Sequence, residues 1–118
     1  MIELPWPHKD LNPNARVHWT KKASAAKMAR DTAFKITLVT MQCLSISLDK
    51  SKKINFVIEF YPPGKRKYDD DNLIASFKPY RDGIADALRI NDVSFKTIAN
   101  IKEVVKGGKV IVKLTNGE

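Results

Sequence analysis

The stretch "KINFVIEFY", residues 53–61, constrains the fold more than any other part of the chain. Its large apolar residues recur at every second position, at Ile54, Phe56, Ile58 and Phe60. That period is typical of a β-strand with two different faces. Pro62-Pro63-Gly64 follow at once and end the strand, because proline cannot donate to a β-ladder. The rest of the chain must therefore supply neighbouring strands and a covering layer.

The segments before this strand predict a short strand and a helix. "MIELP" at residues 1–5 indicates an opening strand, and a polar loop with a turn at Asn12-Pro13 follows it. Thr20 is a suitable N-cap for a helix over the alanine-rich "KKASAAKMARDTAFKITLVTMQCL". The β-branched residues after Lys35 have a lower helix propensity than the alanines before them, so the helix is predicted less strongly toward its end. A rough helical stripe is formed by Ala26, Ala29, Phe34 and Leu38.

A second helix is predicted after the strand. Apolar residues recur there at helical spacing, at Leu73, Phe77, Tyr80, Ile84 and Leu88. Pro79 lacks the backbone N–H that a helix interior uses. We therefore expect either a kink near Pro79 or a new helix that begins there.

The end of the sequence predicts a hairpin. The strand-like runs "TIANIKEVV" and "KVIVKLT" flank Lys106-Gly107-Gly108-Lys109, and a Gly-Gly centre between two such runs favours a hairpin. The predicted element order is β-α-β-α-β-β. That order is typical of an α+β fold, a single two-layer domain over residues 1–118 with two main helices on a mostly antiparallel sheet.

The chain is strongly basic for its size. Its 118 residues include 21 Lys and Arg against 13 Asp and Glu, a formal charge of +8. This charge is typical of proteins that bind a polyanion, and nucleic acid is the leading candidate. The single Cys43 cannot form an intrachain disulfide, which indicates a cytoplasmic setting, and its apolar surroundings predict a buried thiol. No signal peptide and no membrane-spanning stretch are recognisable, so no membrane partner is expected.

Negative charge is concentrated at Asp69-Asp70-Asp71, one residue after a basic triplet. In an extended segment Asp69 and Asp71 point to one side, and Asp70 points to the other. Two carboxylates on one side repel each other, but together they favour a hard divalent cation such as Mg²⁺. Asp92 follows the second helix as a further acid that can return to the same place. Three acids on a cationic surface suit metal-assisted phosphodiester hydrolysis.

The same acids also have a purely structural interpretation. Asp70 or Asp71 would cap the following helix, where the helix dipole favours negative charge. Asp92 would be an ordinary turn residue. On this interpretation the chain is a non-catalytic, basic nucleic-acid-binding module.

Three segments of the chain resemble one family of nucleases. "KRKYDDDNLIASFKPYRDGIADALRINDVSF" resembles the RusA family of Holliday junction resolvases, small phage- and prophage-derived endonucleases. The shared pattern is a basic run, then D-x-D-N-L at the start of a helix, and later an N-D pair. "LPWPHKDLNPNARVHW" is similar to the family's opening strand and Asn/Arg-rich loop, and "VVKGGKVIVKL" is similar to its closing hairpin. The three segments run in order over nearly the whole chain.

The resemblance implies an activity and a metal site. Members of the family cleave four-way DNA junctions in paired nicks, as Mg²⁺-dependent homodimers that act in DNA recombination and repair. Carried over by motif, the catalytic and metal-binding acids are Asp69, Asp71 and Asp92, with Mn²⁺ as a substitute for Mg²⁺. Asp70 occupies the variable position of the motif, so the resemblance makes it dispensable for the chemistry.

The resemblance also assigns cationic residues. The family's helix lysine falls on Ala75 here, which leaves Lys78, about one turn further along, as the catalytic cation and Arg81 as a second candidate. The residues expected to hold the DNA backbone are Lys65, Arg66, Lys67, Arg16 and Arg81. Aromatic residues are expected to meet the DNA or the partner subunit, and the sequence leaves four candidates open: Trp6, Trp19, Phe56 and Phe60.

Overall fold

The computed structural model describes residues 1–44, 52–65 and 67–116. The helices and strands are, in chain order, β1 (Ile2–Pro5), α1 (Trp19–Leu44), β2 (Ile54–Tyr61), α2 (Asp70–Leu88), β3 (Phe95–Ile101) and β4 (Lys109–Asn116). Two 3-10 turns lie at Lys9–Leu11 and Asp92–Ser94. This order confirms the predicted β-α-β-α-β-β arrangement and the α+β class.

The four strands form one sheet in the order β1-β4-β2-β3. β4 runs antiparallel to β1 and to β2, whereas β2 and β3 are parallel. Two of these three pairings are antiparallel, which confirms the mostly antiparallel sheet. Because β1 and β2 run in the same direction, α1 and α2 both begin at the edge where those strands end. We call this edge, marked by Pro5 and Tyr61, the carboxyl edge.

The predicted hairpin at the end of the chain is wrong. β3 and β4 are consecutive, but β2 lies between them in the sheet. The connection instead crosses the end of β2, where the backbone N–H of Lys102 donates to the carbonyl of Phe60 at 2.7 Å. The two glycines still make the final turn, with φ values of 81° and 71°. This arrangement pairs both edges of β2, the strand whose apolar face is completely buried.

The core lies between the sheet and the two helices. All four alternating apolar residues of β2 are at most 1% exposed, as the alternation predicted. Phe77 of α2 packs edge to face on Phe56 and on Phe60, at centroid distances of 5.9 Å and 6.0 Å. The apolar face of α2 is buried on both sides of Pro79, and α2 is one helix through that residue. A new helix that begins at Pro79 is therefore excluded.

The start of α1 differs from the prediction by its cap. The helix begins at Trp19, and His18 rather than Thr20 precedes the first turn. The backbone carbonyl of His18 accepts from the N–H of Lys21 at 2.9 Å, and its ring nitrogen accepts from the N–H of Thr20 at 3.3 Å. A histidine side chain thus performs the capping function that a hydroxyl was expected to perform.

The buried face of α1 is made of small residues. Ala29, Ala33 and Thr37 are buried, whereas Leu38 of the predicted stripe is exposed. Small side chains allow α1 to approach α2 closely, so the contact between the helices selects a different stripe from the one that hydrophobicity suggested. Cys43 is exposed, so the prediction of a buried thiol is wrong. Within the described residues, neither helix combines the length and apolar character that crossing a bilayer requires.

Candidate active site

Asp69, Asp70 and Asp71 form an exposed acidic cluster at the start of α2, beyond the carboxyl edge. One carboxylate oxygen from each residue lies within 4.8 Å of the other two. The chain leading into the cluster is held on the core by Tyr68, whose ring packs on Trp6 at 5.5 Å. Rigid elements on both sides therefore fix where the three carboxylates emerge.

The predicted separation of the triplet into two sides is wrong. Because α2 already begins at Asp70, the segment is not extended and Asp70 is not turned away from its neighbours. Asp69 is the N-cap, and its Oδ1 accepts from the backbone N–H of Asp71 at 2.9 Å and of Asn72 at 3.4 Å. The capping role expected of Asp70 or Asp71 thus belongs to Asp69. Backbone N–H groups at the helix start offset part of the repulsion among the carboxylates.

The donor set of the acidic cluster fits a hard divalent cation. Such ions prefer carboxylate oxygens, and one or two carboxylates suffice when phosphate and water complete the shell. One carboxylate oxygen of Asp69 accepts the capping hydrogen bonds, while no described residue donates a hydrogen bond to the Asp71 carboxylate. Asp70 likewise accepts from the backbone N–H of Asp71 through its Oδ1 at 3.0 Å, so the oxygens of Asp71 and the second oxygens of Asp69 and Asp70 are available to such an ion.

Asp92 lies at the opposite edge of the sheet. It begins the 3-10 turn that leads into β3, and its side chain is outside the described part of the structure. Phe95, just after this turn, pairs with Ile54, the first residue of β2, whereas Asp69 follows the last residue of β2. The 19 residues of α2, about 28 Å of helix, separate the two places. One chain therefore does not bring the backbone of Asp92 to the acidic cluster, and its catalytic role stays a prediction.

Lys78 lies two turns after Asp71 on the same face of α2. Its side chain is 64% exposed, and its Nζ is 3.2 Å from Oδ1 of Asp82. Together with Ala75 it lines a cavity of about 310 Å³ between α2 and the β2–β3 part of the sheet. The Lys78 side chain is thus exposed to solvent on the face of α2 that also carries Asp71.

Arg81 lines the same cavity but is held by the sheet. Its guanidinium donates to Oγ1 of Thr97 at 2.6 Å. The same group lies 5.5 Å from the ring centroid of Phe95 and 5.8 Å from that of Phe56. Of the two cations proposed to replace the family's helix lysine, Lys78 is therefore the more exposed.

The remaining predicted DNA contacts lie on the surface. Lys65 and Lys67 are exposed in the loop just before the acidic cluster, and Arg16 is exposed before α1. Arg66 lies outside the described residues. Among the four aromatic candidates, Phe56 and Phe60 are buried and Trp6 packs on Phe60, whereas Trp19 is 72% exposed. The sequence signal for that exposure is the position of Trp19, which precedes the apolar stripe of its helix.

The fold and the site define a basic α+β domain with an exposed acidic cluster at a helix start. No protein-family model matches the chain. A protein of Xylella fastidiosa (strain Temecula1 / ATCC 700964), described as an uncharacterized protein, is 45% identical to it over 115 residues, 97% of this chain and 74% of the relative. The chain belongs to the same family as that protein.

Proposed function

We propose that the protein is a divalent-metal-dependent DNA endonuclease of the RusA type that resolves four-way junctions by paired nicking. The observation that carries the proposal is the acidic cluster, three exposed carboxylates with oxygens within 4.8 Å on a chain of net charge +8. A basic surface attracts a polyanion, and an acidic cluster within it needs a cation before phosphate can approach. In this proposal the enzyme acts in the cytoplasm, in DNA recombination and repair.

The acids and cations of α2 would have distinct roles. Asp69 and Asp71 would hold Mg²⁺ or Mn²⁺, which when bound supplies positive charge at the scissile phosphate. Lys78 would clamp a neighbouring phosphate and stabilise the charge that develops there. Its pair with Asp82 is a surface ion pair between residues four apart, worth less than about 1 kcal/mol, so a phosphate competes with it readily.

Basic residues next to the acidic cluster would hold the DNA backbone. Lys65 and Lys67 lie within four residues of the start of the cluster, and their charges suit sequence-independent phosphate contacts. These contacts position the strand without reading its sequence. Junction preference must then come from the shape of the branched DNA and from the arrangement of two sites.

A homodimer accounts for the position of Asp92 in this proposal. Because α2 separates Asp92 from the cluster within one chain, a site that uses all three catalytic acids needs Asp92 from a second copy. A two-fold dimer supplies two such sites, and two sites match the two nicks that junction resolution requires. Dimer formation would therefore complete the site as well as duplicate it.

Cleavage of a synthetic four-way junction tests the proposal. The purified protein is incubated with labelled junction, flap and duplex DNA, with Mg²⁺ or with EDTA. We expect metal-dependent paired nicks in the junction, and a loss of at least about 100-fold in rate for Asp71→Asn. Asp70→Asn is the matched control, since it removes the same charge one residue away and is expected to keep cutting. Absence of metal-dependent cutting on all three substrates would overturn the proposal.

A second candidate function is favoured by the cap at Asp69. Its hydrogen bonds to the N–H groups of Asp71 and Asn72 give it a structural role that needs no metal. The protein would then be a basic nucleic-acid-binding module without catalysis. The distinguishing result is equal binding of junction DNA in Mg²⁺ and in EDTA, with no cleavage in either.

A further inference from the structure

Trp19 is the most exposed large apolar side chain in the described part of the structure, at 72%. It begins α1, and the ring of His18 lies beside it at a centroid distance of 5.6 Å. Leaving an indole in water forgoes the free energy of burying a large apolar surface. Tryptophan is also enriched among the residues that dominate binding energies. The exposure of Trp19 therefore marks the surface around it as a candidate binding site.

A continuous face of α1 begins at Trp19. Residues three, four, seven and eight positions later lie on the same side of a helix. Those positions are occupied by Lys22, Ala23, Ala26 and Lys27. Ala23 is exposed and Ala26 is half-buried, so the small side chains leave room for a ligand at the start of the helix, and the two lysines place positive charge on either side of that approach.

The charge of this region is not balanced by the protein itself. No acidic residue occurs between Asp10 and Asp31, while the same stretch contains five basic residues: Arg16, Lys21, Lys22, Lys27 and Arg30. Among the residues that the structure describes, Arg30 is the one of these five with an ion-pair partner, Asp86 at 2.6 Å. Lysines elsewhere do find acids, as Lys35 does with Asp31 at 2.9 Å. Apart from Arg30, these basic side chains have no acidic partner among the described residues. The opposite charge must therefore be supplied by a ligand.

This face and the acidic cluster lie at the same edge of the sheet. Both helices begin at the carboxyl edge, and they cross where Gly83 of α2 meets Arg30 of α1. Trp19 lies 11 residues before Arg30 and Asp70 lies 13 residues before Gly83, about 17 Å and 20 Å of helix. A nucleic-acid strand bound at the start of α1 would therefore lie at the same edge of the sheet as the acidic cluster, which is at the start of α2.

We propose that Trp19, Lys22 and Lys27, with Arg16 in the preceding loop, form a surface that binds a single strand of DNA. We call it the Trp19 face. Trp19 stacks on an unpaired base, and the lysines and Arg16 neutralise phosphates on either side of it. A single strand fits better than a duplex, because stacked and paired bases offer no open ring face to an indole. The inference rests on the proposed function for the identity of the polyanion, and it adds recognition of unpaired nucleotides beside the branch.

Fluorescence titration in EDTA tests the Trp19 face without cleavage. Trp6 and Trp19 are the two tryptophans of the chain, so Trp6→Phe leaves Trp19 as the reporter. We expect a short oligothymidylate to quench that emission on binding. In the wild-type background, anisotropy of a labelled oligothymidylate should show that Trp19→Ala weakens binding by about 10-fold. Trp19→Phe keeps an aromatic ring and should retain most of the affinity.

A lysine on the other side of α1 provides the matched control. Removing Lys22 or Lys27 should lower the slope of log affinity against log salt by about 0.7 each, the value for one lost phosphate contact on a single strand. Lys21→Ala removes the same charge but lies on the side of α1 that lines a cavity of about 450 Å³ with Trp6 and His8. It should leave the slope unchanged. Equal effects of Lys21→Ala and Lys22→Ala would contradict the placement.

The outcomes separate this inference from the nuclease proposal. Unchanged binding by a folded Trp19→Ala protein, verified by circular dichroism, overturns the Trp19 face. A change in sedimentation without a change in DNA affinity also overturns it, because the face is then an interface between copies of the chain. Because DNA binding is measured without metal, a result that overturns the Trp19 face leaves the nuclease proposal standing. A protein that binds as expected but never cuts loses the nuclease proposal alone.

Discussion

Gly83 of α2 lies directly against the backbone carbonyl of Arg30 in α1. A Cβ on Gly83 would overlap that carbonyl oxygen and would lie 3.0 Å from the Cβ of Ala33. The side chain of Arg30 reaches back across the same crossing to Asp86, with its Nε 2.6 Å from Oδ2. That ion pair holds the pKa of the Asp86 carboxyl below its ordinary value, chiefly through the hydrogen bond from Arg30. The crossing fixes the helix that carries Trp19 relative to the helix that carries the acidic cluster.

The first prediction is that Gly83→Ala destabilises the protein. Alanine in a helix interior is ordinarily better than glycine by about 1 kcal/mol, but the overlap at this crossing outweighs the gain. We expect a net loss of about 1–3 kcal/mol in the free energy of unfolding, measured by urea denaturation. Gly64→Ala is the control, since nothing lies within 4 Å of a Cβ there. A Gly83→Ala protein more stable than wild type would contradict the close approach.

The second prediction separates the two roles of Asp69. Asp69→Ala removes the cap of α2 and should cost about 1 kcal/mol of stability. Asp69→Asn keeps an oxygen that accepts from the backbone N–H groups, so it should unfold at nearly the wild-type temperature. Both variants lose a carboxylate, so both should bind Mn²⁺ more weakly in calorimetric titration. Wild-type Mn²⁺ affinity in the Asn variant would confine Asp69 to the capping role.

The third prediction concerns the position of Asp92 and uses a mixture of two inactive variants. Asp71→Asn and Asp92→Asn are each expected to abolish junction cutting. If the site combines Asp71 of one copy with Asp92 of the other, a mixed dimer contains one doubly altered site and one intact site. After equal amounts of the two variants are mixed and exchanged, single nicks should therefore reappear at up to about half the wild-type rate per mixed dimer, which is about a quarter of the wild-type rate over all dimers. A mixture as inactive as its components would place all the catalytic acids in one chain or remove Asp92 from the site.

Local patterns in the sequence predicted the helices and strands better than they predicted which strands are paired in the sheet. The alternation along β2 and the helical spacing from Leu73 to Leu88 are enforced by one shared core, so each pattern could be read by itself. The prediction of a hairpin was wrong because the Gly-Gly turn reverses the direction of the chain but does not determine which strand the returning chain pairs with. β4 pairs with β2 and β1, partners that lie more than 45 residues away in sequence, and no local signal encodes that choice.

The candidate site shows the same limit over shorter distances. The three adjacent aspartates were correctly placed at the start of a helix, but the sequence did not show which of them is the cap. That one-residue difference converts an extended segment into a helical turn and brings Asp70 into the cluster. Asp92 was expected nearby because it follows the helix, yet a helix that crosses the whole sheet carries its far end to the opposite edge.

The fourth prediction follows from the burial of Tyr80. Its hydroxyl donates to the backbone carbonyl of Pro5 at 3.0 Å, and burial raises the pKa of Tyr80 to about 12. A tyrosine in the unfolded chain titrates near pH 10. Because the folded pKa lies above the unfolded one, the associated stability is complete below about pH 10 and is lost as the pH rises toward 12.

Tyr80→Phe tests this titration directly. The variant loses one hydrogen bond and should be less stable at pH 7 by about 1 kcal/mol. It also lacks the ionisable group, so the difference in unfolding free energy between wild type and variant should shrink above pH 10 and change sign before pH 12. Urea denaturation at pH 7, 10 and 11 measures that difference and cancels the titration of lysines, which both proteins share. A difference that stays constant across this range would show that Tyr80 ionises in the folded protein as it does in the unfolded chain.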